Sequence, residues 1–395
     1  MKISILLPYK ENFSSKYAGA VSLFTKDTTD KSRYKDSITI FGFTKYKSKL
    51  LKNYINLNIG KSLLQSNSKI YVQEFLKYEN KSPSDLIEVH NRPNYINFLS
   101  KSTGSKLILY FHNDPLTMNG SRNISERIDL LKMTSKLIFN SKWSRDRFLE
   151  GLNKSEIDTN KLFVLYQSSK KVKVDFKGKK KIISFVGKLN SAKGYDLFGK
   201  AIIRILNKYT DWKGVVIGDE PREKHIFKHK NLKILGFKSH KYVLNNFTKS
   251  SIAVVCSRWN EPFGRTSLEA SSRGCAVIIS NRGGLTETTE HAIILKKLTS
   301  EEVYSKIDFL IKNKKHRQTL QKKSYCGFKY SHEFITNLQD NIRYNSLGLR
   351  IFNVNKITKN TKFKILHITN FNERYDGRLH YNTGRRLNIR SPKEL

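Results

Sequence analysis

The chain has 395 residues, of which 38% are hydrophobic, 27% charged and 11% aromatic, and its formal net charge is +41. That length suits two domains, and the apolar and aromatic content supports real cores and excludes a disordered polyelectrolyte. Its cysteines, Cys256, Cys275 and Cys326, have no CxxC spacing, so they make neither a disulfide framework nor a zinc knuckle, and the expected compartment is reducing.

Short apolar strands alternate with amphipathic helical stretches, which predicts parallel α/β layers. The chain opens on a strand at 3–8 that turns polar at once, without the long apolar segment of a signal peptide. No run of roughly 18 apolar residues follows, so a cytoplasmic protein is expected rather than a secreted or membrane-spanning one. Further strands are expected at 37–41, 86–90, 106–111 and 136–140, with helices around 94–100 and 141–152. The stretch 168–180, SSKKVKVDFKGKK, is polar and aperiodic and reads as a linker. Beyond it, strands are expected at 181–186, 214–217, 232–235, 252–256 and 276–280, and helices at 195–208, 241–249, 266–273 and 301–313. This pattern predicts two Rossmann-like halves, 1–167 and 181–345. Residues 361–369 read as one more strand, so 346–395 resembles the opening of a further α/β unit, and its last residues read equally as a basic tail.

The segment 257–284, SRWNEPFGRTSLEASSRGCAVIISNRGG, carries the clearest chemistry. A buried strand ends, a tight loop holds Glu261-Pro262-Phe263-Gly264, and a helix starting near Arg265 brings in Glu269. Gly264 lets the backbone approach a ligand, and free N–H groups at the helix start suit a phosphate. Taken singly, each glutamate reads as a helix-start acid favoured by the macrodipole. With Gly283-Gly284 following the next strand, the ordered set reads instead as a grip on the hydroxyls of one ligand.

Glu261-Pro-Phe-Gly-x-x-x-x-Glu269 resembles the Glu-x7-Glu motif of retaining GT-B glycosyltransferases, the glycogen-synthase-like group numbered family 4. Phe185-Val-Gly187-Lys188-Leu-Asn190-x-x-Lys193-Gly194 is similar to that family's phosphate-binding segment, and Val216-Ile-Gly218-Asp219-Glu220 to its next strand end. The likeness is strong over 181–325 and looser before it. It implies two doubly wound Rossmann-like domains facing a central cleft, and sugar transfer from a nucleotide-sugar with retention, without metal or cofactor. By the same resemblance Glu269 binds the ribose hydroxyls and Glu261 the donor sugar. The amides of Phe263, Gly264 and Arg265 face sugar or phosphate, and Lys193 neutralises the leaving diphosphate. Lys188 stands where the family usually has arginine, which implies a weaker phosphate clamp. Solvated loop lysines remain the plainer reading of Lys188 and Lys193 from the residues alone.

In the first half, Gly19-Ala20 matches weakly the family turn beside the donor phosphates. His90 and His112 end strands, and His112 occupies the place of a family histidine that faces the reacting sugar. His112, Glu261 and Lys193 are therefore the candidate catalytic residues. His90, Arg92, Asn113 and Asp114 are candidate acceptor contacts, and Ser141 is expected to cap a helix. The acceptor implied is a saccharide or lipid-linked saccharide in cell-surface polysaccharide assembly. The excess of positive charge fits an anionic membrane surface, or a plain bias toward lysine. Nucleic acid is disfavoured, since the lysines are spread out and no RNP or zinc-finger pattern occurs. Two rivals stay open: a sugar-nucleotide hydrolase or epimerase of the same fold, and a non-catalytic basic binding module on a decayed transferase.

Overall fold

A computed structural model describes residues 1–60 and 65–348; the strand expected at 361–369 and most of the extension from 346 lie outside the described residues. Strands β1 (Ile3–Leu6), β2 (Ile38–Gly42), β3 (Tyr54–Asn56), β4 (Leu86–His90), β5 (Lys106–Phe111), β6 (Lys136–Phe139) and β7 (Leu162–Val164) form one parallel sheet in the order β3-β2-β1-β4-β5-β6-β7. Helices α1 (Ala20–Lys31), α2 (Asn67–Lys81), α3 (Ile96–Ser102), α4 (Ile124–Met133) and α5 (Lys142–Leu149) connect them. The second sheet, also parallel, has the order β10-β9-β8-β11-β12-β13. It is built from β8 (Lys180–Val186), β9 (Lys213–Ile217), β10 (Leu232–Ile234), β11 (Ser250–Val255), β12 (Ala276–Ser280) and β13 (Ala292–Leu295). Around it run α6 (Tyr195–Lys208), α7 (His240–Lys249), α8 (Arg265–Ser272), α9 (Ser300–Lys312) and α10 (Lys314–Cys326), and α11 (His332–Ser346) closes the described chain. The two doubly wound Rossmann-like domains expected from the sequence are present.

Central strands such as β1 and β4 are buried along their whole length, as parallel strands covered by helices on both faces must be. In α6, Leu197, Phe198, Ala201, Ile202, Ile205 and Leu206 recur on one face and fill the core of the second sheet. The strands absent from the sequence reading, β3, β7 and β13, are short, and most of their residues are only partly buried, so they carry little apolar periodicity.

Helix α11 begins inside the span 181–345 expected for the second domain and ends one residue past it, yet it packs on the first. Ile335 and Ile342 sit in the core beneath β1 and β2, and Arg343 pairs with Glu88 of β4. The chain thus crosses between domains twice, and the two crossings touch where the Ser169 N–H donates to the Tyr330 carbonyl at 3.0 Å. An amphipathic helix declares that it has an apolar face, not which sheet receives it. Among the described residues, no helix is long and apolar enough to cross a membrane.

Strand order reverses between β1 and β4 in one sheet and between β8 and β11 in the other. Crevices open at the carboxyl ends of strands flanking such switch points. The loops after β1, β4, β8 and β11 are therefore where ligand chemistry belongs.

Candidate active site

The loops after β8 and β11 are stitched together. The backbone N–H groups of Arg258 and Trp259 both donate to the Ala192 carbonyl, at 2.9 and 3.0 Å, and Ser257 Oγ donates to it at 3.1 Å. Asn190 Oδ1 accepts from the Lys193 N–H at 3.0 Å and holds the short turn 191–193. The result brings Lys193 Nζ within 2.6 Å of Glu261 Oε1 and 4.4 Å above the centre of the Trp259 ring. The lysine is oriented by a carboxylate and by an aromatic face, which attracts cations. Trp259 was not legible as a site residue, because its role depends on a lysine 66 positions away in sequence.

Glu261 is set by its neighbour loop. Gly284 N–H donates to the Glu261 carbonyl at 2.7 Å. Gly283 has φ 60° and ψ −138°, and a Cβ there would strike the Glu261 backbone, so this close approach requires glycine. Gly264 starts α8 with φ 113°, again a conformation that favours glycine.

Glu269 projects from α8 and is buried. Its Oε1 accepts from Arg265 Nε at 2.6 Å and lies 2.7 Å from His240 Nε2. Burial alone would raise this carboxyl's pKa, but Arg265 and His240 outweigh it and hold it below the ordinary value. His240 and Asp27, which meets Arg265 Nη2 at 3.2 Å, are members of this cluster that no local motif announces. The Phe263 ring is buried against Tyr166 and Tyr330, at 5.5 and 6.2 Å between centres. Any ligand contact from Phe263 is left to its backbone, since the ring is committed to packing. Lys188 is exposed, close enough for its charge to lower the pKa of Glu220 after the larger effect of Arg222.

The first domain brings its candidates together differently. His112 and His90 touch directly, with Nε2 and Nδ1 3.0 Å apart. His90 is wholly buried and stacked on Tyr110, with ring centres 4.4 Å apart and planes 3° apart. This removes His90 from direct acceptor contact and makes it a support for His112, which is 7% exposed. Asn91, at φ 56°, accepts through Oδ1 from the N–H groups of His112 and Asn113 at 3.1 Å each. Asn113 is exposed and Arg92 partly so, the latter donating to the Asn91 carbonyl at 2.8 Å. Asp114 caps the turn 115–117 and pairs with Arg147 at 3.2 Å, so its carboxylate is engaged in holding the loop.

Gly19 also differs from expectation. The start of α1 is taken by Glu11, whose Oε1 accepts from the Ser22 N–H at 3.1 Å and lies where a Cβ on Gly19 would meet it. A buried carboxyl group already stands at the helix start expected to lie beside the phosphates. Burial raises the Glu11 pKa, against the opposing effects of Ser22 and Arg92.

The domains meet across this face. Glu287, next to the Gly283-Gly284 turn, accepts from the N–H groups of Lys142 and Trp143 at the start of α5, at 2.7 and 2.9 Å. Ser141 caps the same helix, accepting from the Ser144 N–H at 2.9 Å. Tyr17 stacks on Phe237 at 5.5 Å. A separate cavity of about 560 Å³ opens at the other ends of β5 and β6, where Lys106, Lys132, Lys136 and Lys161 line it and, among the described residues, no histidine or carboxylate does.

Residues 167–326 match the family described as Glycosyl transferases group 1. YtcC of Bacillus subtilis (strain 168), a protein named as a glycosyltransferase, is 25% identical over 328 residues, covering 74% of this chain and 78% of its own. The structure of Anabaena Alr3699/HepE in complex with UDP and glucose superposes with a TM-score of 0.69 at 16% identity, over 87% of this chain and 100% of that one. Sucrose-phosphate synthase from Thermosynechococcus elongatus superposes with the same TM-score, 0.69, at 14% identity, over 88% of this chain and 99% of that one. These matches support a glycosyltransferase of GT-B architecture.

The histidine pair makes stability depend on pH. Burial, followed by the Arg343 charge, pushes His90 down to about 3, and burial followed by His90 lowers His112. The unfolded imidazoles protonate near their ordinary value of about 6.5 while the folded ones stay neutral. Below that pH the unfolded chain binds more protons, so this stability is complete above about 6.5 and is lost as pH falls toward 3, by at most about 1.4 kcal/mol per pH unit for each proton. Urea denaturation between about pH 7.5 and about pH 5 should show a smaller loss in His90→Gln than in the parent protein. Equal losses would mean that His90 does not titrate in this way.

Proposed function

We propose that the protein is a retaining, metal-independent hexosyltransferase that moves a sugar from a nucleotide-sugar to a saccharide or lipid-linked saccharide. The observation that carries this reading is the placement of Lys193 against Glu261, beside the start of α8, at the sheet's switch point. In this reading Glu269 accepts hydrogen bonds from the ribose hydroxyls through the carboxylate that Arg265 and His240 keep ionised. Glu261 accepts from hydroxyls of the donor sugar, and amides of Phe263, Gly264 and Arg265 donate to the diphosphate.

The bond from the anomeric carbon to the phosphate oxygen breaks, and its electron pair leaves on that oxygen. The acceptor hydroxyl attacks from the same face, and its proton passes to the departing phosphate. Negative charge grows on the phosphate, and the Lys193 ammonium, prealigned over Trp259, stabilises it without reorganising. His112, neutral at physiological pH, offers a hydrogen bond to the sugar. A GT-B neighbour captured with UDP and glucose supports a nucleotide-sugar as the donor.

The test is a thermal-shift screen of UDP, ADP, GDP, CDP and dTDP on the wild type and Glu269→Ala. One nucleotide at about a hundred times its dissociation constant should add roughly 2.7 kcal/mol to the wild type, and the variant should lose that gain. No shift with any nucleotide sinks the reading.

A further inference from the structure

The acid assigned to the donor ribose is tied to the other domain. Arg265 bridges it: Nε donates to Glu269 Oε1 at 2.6 Å within the second domain, and Nη2 reaches Asp27 Oδ2 of α1 in the first at 3.2 Å. All three side chains are largely buried, with 12% of Arg265, 9% of Asp27 and 5% of Glu269 exposed. Asp27 also faces Lys26, at 3.4 Å, and His332 Nε2 of α11, at 3.8 Å. Ser168 Oγ lies 2.8 Å from His332 Nδ1, which connects the cluster to both interdomain crossings.

One feature of the guanidinium points toward a ligand. Arg265 Nη1 is buried and meets no hydrogen-bond partner among the described residues. A buried donor without an acceptor is costly, so the bridge gains stability when an oxygen-rich molecule arrives beside it. The nucleotide expected at Glu269 is such a molecule.

We infer that Asp27 is a positioning residue for the donor: reaching across from the first domain, it holds Arg265 against Glu269, so that nucleotide binding and closure of the two domains are coupled. The inference rests on the reading of Glu269 as the ribose-binding acid. Asp27 touches no nucleotide itself. It sets the rotamer of Arg265, and Arg265 sets the carboxylate. Planar, two-ended pairing of this kind needs arginine, because a lysine is a single point charge and cannot hold both acids in fixed geometry.

The test is a double-mutant cycle read by calorimetry, using whichever of UDP, ADP, GDP, CDP and dTDP binds the wild type tightest. Asp27→Asn is expected to weaken that nucleotide about tenfold, and to have little further effect when Glu269→Gln is already present. Small-angle scattering should show the nucleotide-induced decrease in radius of gyration reduced in Asp27→Asn. Arg265→Lys, which keeps the charge, should behave as Asp27→Asn does, and melting temperatures without nucleotide check that each variant is folded. Asp27→Asn binding like the wild type, with Glu269→Gln impaired, overturns the coupling and leaves the donor site standing. Glu269→Gln binding like the wild type removes the donor reading, and the coupling with it. Additive losses in the double variant would show that Asp27 acts apart from Glu269 and would also overturn the proposal.

Discussion

Arg343→Met is expected to lower the free energy of unfolding by about 3–5 kcal/mol, the cost of leaving a buried charge without its partner. Arg343 has no solvent-exposed side-chain surface. Its Nε and Nη2 donate to the two oxygens of Glu88 at 2.7 and 2.8 Å, and its Nη1 donates to Asp340 Oδ1 at 2.9 Å. Tyr110 Oη donates to Glu88 Oε1 at 3.0 Å and accepts from Gln339 Nε2 at 3.0 Å. Glu88 lies on β4, the strand that carries His90, and Tyr110 is the ring on which His90 stacks. Removing the guanidinium leaves two buried carboxylates facing one another's field in a medium that solvates them poorly. Methionine fills much of the volume, so the loss is electrostatic rather than a cavity effect. Urea denaturation of Arg343→Met beside Glu88→Leu/Arg343→Met is the measurement, and the double variant should recover the part of the loss due to Glu88, while Asp340 keeps its contacts with Ser32 Oγ and the Arg33 N–H. A single-variant loss below about 1 kcal/mol would show that the pair is not solvent-excluded as described.

Lys193→Ala is expected to lower kcat by about 10²–10³-fold, the effect of removing one prealigned group from developing negative charge. The charge on the leaving phosphate is greater in the transition state than in the bound donor, so kcat falls more than donor KM rises. Lys193→Arg keeps the charge and should retain a good part of the rate, because Glu261 at 2.6 Å and the Trp259 face at 4.4 Å still orient a cation there. Steady-state kinetics with the donor found in the thermal-shift screen decide this. An unchanged kcat in Lys193→Ala would falsify the assignment of Lys193 to the leaving group.

Much of the candidate site was legible because its residues lie in short, ordered segments at strand ends. Glu261, Gly264 and Glu269 are related by a loop and the first turns of one helix, so their spacing alone places them together. Lys193 follows its strand by a few residues, and the turn that Asn190 caps is a local structure. Their pairings were not legible. His240 and Asp27 converge on the Arg265–Glu269 pair from other helices, Asp27 from the other domain. Glu11 stands at the start of α1, where the glycine turn alone suggested room for a phosphate. His90 and His112 look alike in sequence, each ending an apolar strand. Only packing shows that one lies beneath the other, so that His90 carries His112 and has no open face of its own.

The sequence by itself determined the alternation of strands and helices, the two Rossmann-like halves, and the order of loop motifs at their strand ends. These are properties of local periodicity and turn chemistry, which act over a few residues. Tertiary structure alone decided that α11 returns to the first sheet, that Arg343 neutralises Glu88 from 255 positions away, and that Arg265 joins the two domains through Asp27. The reason is physical: charge pairing and burial depend on distance in space, and a chain that folds back across two domains sets those distances only when it is whole.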